Sequence, residues 1–392
     1  VAAASLLGRI LRNPSTPEER RPRYLRAFDF LSGPAKEAAL ETLLESEDEF
    51  VAAQALLRMT NLDPARNTEH KAIVDRLLER SRGTGQFVDL VRRFEVDDRA
   101  DDVFDVVLQH STDSAGAAAV RWLLDHGGES LIERATEGDD DEKAFKVIQA
   151  LGNANDQRGV RFLALVVTNE ERDVTLLAHS ARQIVTTKAG AAALVHHARA
   201  DRVPSEVRPL AGWLLSNVRW GDVRKSATTL LPSPALKDSD SLPSNRQLVE
   251  MKGEASRGVG VYTKLCSNCH QAGNQGKAFG PNLTEIGDKL GKDALYSSIL
   301  DPNAGVSFDY EGVGLLLKTG DDVVGIIESE TADEITLKTP GAILVSYQKS
   351  DIVSRRKLKT SIMPSGLQAT LSTQELVDLV EYLSTLRKAG TQ

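Results

Sequence analysis

The stretch 264–273, KLCSNCHQAG, holds both cysteines of the chain, Cys266 and Cys269, two residues apart with His270 directly behind. Two thiols and an imidazole at this spacing suit a zinc site, a dithiol–disulfide couple, or covalent attachment of a larger group. Zinc wants about four converging ligands, yet no third cysteine exists and no histidine follows His270. A thioredoxin-type dithiol sits between strand and helix of a βαβ unit, whereas LVEMKGEASRGVGVYTKLC, the run before the pair, reads as helix. The third reading is C-x-x-C-H as the attachment signature of a c-type haem. The thiols then form thioethers at two vinyl groups, and the adjoining imidazole lies beneath the ring to meet the iron. A bare C-x-x-C-H recurs by chance, so its surroundings decide.

Those surroundings are a helix bearing Gly258 and Tyr262, then CSNCH, then GKAFGPNLTEIGDKLG, a late methionine and a final amphipathic helix. This order resembles the class I cytochrome c fold. The resemblance implies that the Pro281 carbonyl, next to Gly280, accepts the proximal His270 hydrogen, and that Leu283 walls the haem pocket. It also implies a distal methionine as sixth ligand, which favours ferrous iron relative to a second nitrogen. Met59 lies deep in the N-terminal region and Met251 precedes the motif on the same helix, which leaves Met363. It sits in TSIMPSGLQ with Pro364 and Gly366, before a helix that Ser372 or Thr373 caps with Glu375 in its first turn. Leu376, Leu379, Val380 and Leu383 form the apolar stripe of that helix.

Working outward, residues 1–235 show apolar positions at three and four spacing, as in AALETLLESEDEFVAAQALLRMT from Ala38 and EKAFKVIQALGNANDQRGVRFLALVVTNE from Glu142. The unit recurs at about 35 to 40 residues, which suits helix pairs that bury their stripes only against the next pair. The pattern resembles a HEAT-like array. His179, His196 and His197 have no ligand pattern around them and read as packing or surface residues. The acidic run 137–144, EGDDDEKA, reads as a solvated lead into a helix N-terminus. Trp213 and Trp220 are expected to pack between the end of this array and the next domain. Pro, Ser and Asp then mark a linker over 236–245, and the cytochrome-like domain is expected over 246–388.

From His270 to Met363 the chain is longer than a minimal cytochrome requires. The excess, 308–359, alternates as GVGLLLKT, VVGIIES, EITLKT, AILVSYQ and IVSRRKLK, parted by GDD, TADE, TPG and KSD. This predicts four or five strands forming an inserted small β-barrel or sheet. Arg355, Arg356 and Lys357 make the one dense basic patch, read as part solvated face and part docking rim.

The chain's 392 residues suffice for two or three cores. With 48 Lys and Arg against 56 Asp and Glu, its net charge of −8 argues against nucleic acid as the main partner. No stretch approaches the roughly 20 apolar residues of a membrane span. The opening VAAASLLGRILRN, without Met or an apolar signal core, reads as a mature or cut chain.

Together, the helical repeats, Gly258 and Tyr262 before CxxCH, GPxLTxIG (Gly280, Pro281, Leu283, Ile286, Gly287), Asp301 and Pro302 in SILDP, the strand-rich insertion and SxMPxGL (Ser361, Met363, Pro364, Gly366) resemble the haem-binding domain of large planctomycete and verrucomicrobial proteins. The likeness is specific over 246–388 and loose over the repeats. It implies one covalent haem c, a pocket including Tyr262, Gly280, Pro281, Leu283, Ile286 and Pro364, and a periplasmic or otherwise exported protein. Such proteins often carry a further domain resembling a sugar-dehydrogenase propeller. With both axial positions filled, one-electron transfer to or from a redox partner is the expected task, and the chain itself acts as a non-catalytic carrier. Two alternatives stand: peroxidase-like catalysis or sensing with a displaceable Met363, and an interaction scaffold with an accessory haem.

Overall fold

The computed structural model describes residues 2–231, 238, 241–306, 309–358 and 360–388. Residues 1 and 232–235 of the expected helical array, 236, 237, 239 and 240 of the expected linker, and the ends of the expected insertion, 308 and 359, lie outside the described residues. Two compact units result, residues 1–111 with 118–131, and residues 112–117 with 132–392.

The first unit is helical throughout its described residues. Alternate helices stack: Ala2–Arg12 on Pro34–Glu41, Arg21–Ala27 on Glu49–Arg58, and Glu49–Arg58 on Gly85–Arg93. Side-chain caps set the starts, with Asp48 accepting from Val51 N and Thr84 from Phe87 N. Leu40, Leu56, Leu77 and Phe87 are fully buried between the layers.

The helices of the second unit's N-terminal part pack in the same way among themselves. Asp141–Ala154 stacks on Val174–Ile184, Val160–Val167 on Lys188–Arg199, Val174–Ile184 on Arg208–Asn217, and Lys188–Arg199 on Gly221–Thr228. Alternate helices begin at Asp141, Val174 and Arg208, so the repeat is slightly shorter than the sequence periodicity suggests. Asp140, in the acidic run, caps its helix by accepting from Lys143 N. His179 is 8% exposed and stacks on Phe145 with ring centroids 3.7 Å apart. Burial pushes its pKa down to about 4, so it is a neutral packing residue.

The C-terminal part of this unit is built on two crossing helices, the motif helix Ala255–Leu265 and the C-terminal helix Thr373–Thr385. They approach closely because Gly258 has no side chain: a Cβ there would lie 2.0 Å from the Asp378 carbonyl oxygen. Ser372 and Glu375 form the expected capping box, and Leu376, Leu379, Val380 and Leu383 are buried against Tyr262, Leu295 and Tyr296. Asp378, 2% exposed, accepts from Glu254 N, Gln374 Nε2 and both Nε and Nη2 of Arg257. Burial opposes its ionisation, yet these donors outweigh that and hold its carboxyl below the usual range.

Two short strands, β1 (Gln271–Ala272) and β2 (Gln275–Gly276), form a small hairpin after the motif. The insertion contains five strands: β3 (Val313–Leu317), β4 (Asp322–Glu330), β5 (Glu334–Thr339), β6 (Ile343–Gln348) and β7 (Ile352–Lys357). They form one antiparallel sheet of order β6-β5-β4-β3-β7 around Leu315, Val323, Ile335 and Leu337. The sheet is open, which corrects the barrel alternative. Closure would pair β6 with β7, but the β6 edge is already covered: Leu344 N donates to Ser114 Oγ at 2.7 Å, and Ile343 and Val345 pack on Ala117. Arg355, Arg356 and Lys357 on β7 pair with Glu330, Asp322 and Glu311, so that basic patch is neutralised by its neighbours.

Candidate functional site

The motif helix ends where the two cysteines begin. Cys266 N still donates to Tyr262 O, and then Cys269 N and His270 N both donate to Cys266 O, coiling the five residues 266–270 into a tight turn. Tyr262, fully buried, donates its hydroxyl to the His270 carbonyl at 2.6 Å. The following loop wraps the turn: Lys277 N donates to Ser267 O, Phe279 N and Gly280 N to Cys269 O, and Leu283 N to Gln271 O.

Inside this wrap the His270 Nδ1 lies 2.8 Å from Pro281 O. A carbonyl only accepts, so Nδ1 carries the hydrogen and Nε2 keeps its lone pair for a ligand. Burial lowers the His270 pKa, opposed by the Pro281 bond, which favours a neutral ring. Gly280 is required beside it, because a Cβ there would lie 2.7 Å from His270 Cε1.

Both thiols are free and half-buried. Burial pushes Cys266 up to about 12, with Cys269 adding to it; burial pushes Cys269 up to about 11, partly offset by the Gly341 N–H. A shuttling dithiol has a lowered thiol pKa, and burial moves both of these thiols the other way. Nor do any three His, Cys, Asp or Glu side chains among the described residues converge to hold a metal ion. What remains is a set that fits a haem: two protonated thiols, an imidazole with a free nitrogen, and a half-buried apolar rim including Leu265, Leu283, Ile286 and Leu290.

Met363 and Pro364 occupy the irregular segment between β7 and the C-terminal helix, Met363 half-buried and Pro364 exposed. The Met363 amide donates to Ser361 Oγ at 3.1 Å. Residues distant in sequence hold this segment. Asn303 bonds Ser365 Oγ and Ser361 N, and Trp213 Nε1 donates to Gly366 O at 2.6 Å.

Sequence reasoning missed four contributors. Gly341, in the turn between β5 and β6, donates its amide to Asn268 O at 2.9 Å and so seats the inserted sheet on the CSNC turn. Its Pro-Gly signal was visible as a turn but not as a contact. Asn303 and Asn217, which abut the methionine segment, and Asp378, which locks the two crossing helices, gave no signal because their partners are distant in sequence. Trp213 and Trp220 do meet the later elements, Trp220 Nε1 lying 3.2 Å from Asp322 Oδ2. A cleft of about 320 Å³ in the first unit, lined by Gln54, Arg58, Asp89 and Arg92, gathers no catalytic set. No described helix is long and apolar enough to cross a membrane.

Of the comparisons with known proteins, one family model matches. No curated protein matches the chain. Among solved structures, human deoxyhypusine hydroxylase in complex with glycerol aligns at 15% identity and a TM-score of 0.20, over 59% of this chain and 95% of that one, a likeness too weak to bear on the fold. Residues 255–314 match the model of the cytochrome c family, so the chain carries a cytochrome c-like domain around Cys266, Cys269 and His270.

Proposed function

We propose that this chain is an electron carrier with one haem c, attached through Cys266 and Cys269 and ligated by His270 and Met363. The observation that carries the reading is the His270 imidazole, held through Nδ1 by Pro281 O with Nε2 free, beside two protonated thiols. Cys266 and Cys269 would hold the haem as thioethers, each thiol adding sulfur and hydrogen across one vinyl group with nothing released. Pro281 then fixes the ring plane of His270 and strengthens Nε2 as a donor. Tyr262 holds the His270 backbone, and Leu283 and Ile286 keep water from that face. Met363 supplies the thioether that favours the reduced state. Bound there, a haem supplies reversible one-electron exchange, while the protein supplies burial and ligation.

The HEAT-like array sets this domain against a redox partner: a dehydrogenase donor, by family resemblance a sugar dehydrogenase, or a cytochrome or oxidase acceptor. Haem c attachment in bacteria takes place beyond the cytoplasmic membrane, so this reading carries export with it. The test is expression with haem-attachment machinery, followed by denaturation and acid extraction. Haem that stays with the wild-type chain and is absent from the Cys266→Ser, Cys269→Ser double variant supports the proposal; haem extracted from the wild type sinks it.

A further inference from the structure

We propose that Trp213 is a positioning residue for the Met363 loop, which makes the last repeat helices part of the distal ligand's support. The inference rests on the haem reading above. Trp213 is 9% exposed, and its Nε1 donates at 2.6 Å to the carbonyl of Gly366, three residues beyond Met363. That carbonyl also accepts from Ala369 N, closing the turn Leu367–Thr370. Gly366 has φ +80°, and a Cβ there would lie 2.3 Å from Asn217 Oδ1, so the loop presses on the Trp213 helix with room only for glycine. Asn217 in turn donates Nδ2 to Trp213 O at 2.7 Å, fixing the surface on which Gly366 rests. Asn303 also bonds Ser361 N and Ser365 Oγ. The methionine thus rides on a bridge, 361–366, held at both ends. A neutral thioether is a modest ligand whose occupancy depends on how well its loop is preorganised. The Trp213 bond supplies that order from about 150 residues away in sequence.

Trp213→Phe keeps the ring and removes the donor. Trp220→Phe is the matched control, since its N–H meets Asp322 in the inserted sheet and not the methionine loop. In the haem-loaded full chain, the tryptophan-213 variant is expected to lose most of the near-infrared ferric band of methionine ligation. Its ferrous form should bind carbon monoxide, and amides of 367–371 should exchange about fivefold faster. Trp220→Phe should keep all three wild-type readings. An unchanged band in Trp213→Phe, or an equal loss in Trp220→Phe, overturns the inference while leaving the haem reading standing. A wild type without the band overturns the methionine reading and this inference with it.

Discussion

The two segments proposed to flank a haem are built differently. The proximal segment, from Tyr262 to Leu283, is held mainly by bonds within about 20 residues of sequence, with the Gly341 amide on Asn268 O as a long-range addition, and the orientation of the His270 ring follows from the short-range ones. The distal segment around Met363 has short-range bonds of its own, but its anchors are Trp213, Asn217 and Asn303. A local wrap forms wherever its helix forms; a bridge held by distant residues exists only when the repeats, the sheet and the C-terminal helix are assembled. The proximal side is therefore a fixed base, and the distal side reports on the state of the rest of the unit.

Substitutions can break or sharpen that contrast. The largest effect is expected at Gly258, where both flanks share one foundation. Gly258→Ala places a methyl against the Asp378 carbonyl and should cost about 3 kcal/mol. Denaturant unfolding followed by Tyr262 and Tyr382 fluorescence should show the two helices separating, and haem attachment should fall with them. An unchanged midpoint would mean that the helices do not bear on each other as described.

Asp378→Asn loosens the same crossing electrostatically, at about 2 kcal/mol at neutral pH. The folded carboxyl titrates below its ordinary 3.8, so its contribution is complete above that value and is lost as pH falls through the lower folded value. Urea melts at pH 7 and pH 3 should therefore show a wild-type advantage that narrows in acid. An advantage constant with pH would assign it to packing alone.

Gly280→Ala separates the two segments, since the atoms nearest its methyl all belong to the His270 ring. A cost of about 1 kcal/mol is expected, with the imidazole tilted and the Met363 loop untouched. Proton spectra should shift at His270 while amide exchange at 365–371 stays at the wild-type rate. Matching changes at both places would erase the distinction.

The smallest effect is at the turn that seats the sheet on the motif. Ala342 is held at φ +60°, a conformation that glycine adopts freely. Ala342→Gly should stabilise the unit by about 0.5 kcal/mol, read as a slightly raised thermal midpoint. A drop would mean that the alanine methyl is needed against its neighbours.

What the sequence made legible follows the same division. CSNCH with Gly280 and Pro281, the capping box of Ser372 and Glu375, and the alternating runs of the insertion are local patterns, and they fold into a bonded turn, a helix cap and five strands. The open edge of the sheet was not legible, because it depends on Ser114 meeting Leu344 across 230 residues. The role of Asp378 was hidden for a like reason: a lone Asp in an apolar stripe looks like a surface position until Arg257 and Gly253 are brought against its helix. The tryptophans were legible as boundary residues, but the carbonyl that Trp213 holds was not.

The most direct measurement is the visible and near-infrared spectrum of ferric and reduced protein made with haem-attachment machinery, taken beside Met363→Ala. The account predicts sharp ferrous bands and a weak near-infrared ferric band in the wild type, with that ferric band absent from the variant. A wild type that is high-spin, or whose ferrous form binds carbon monoxide without denaturation, would contradict it.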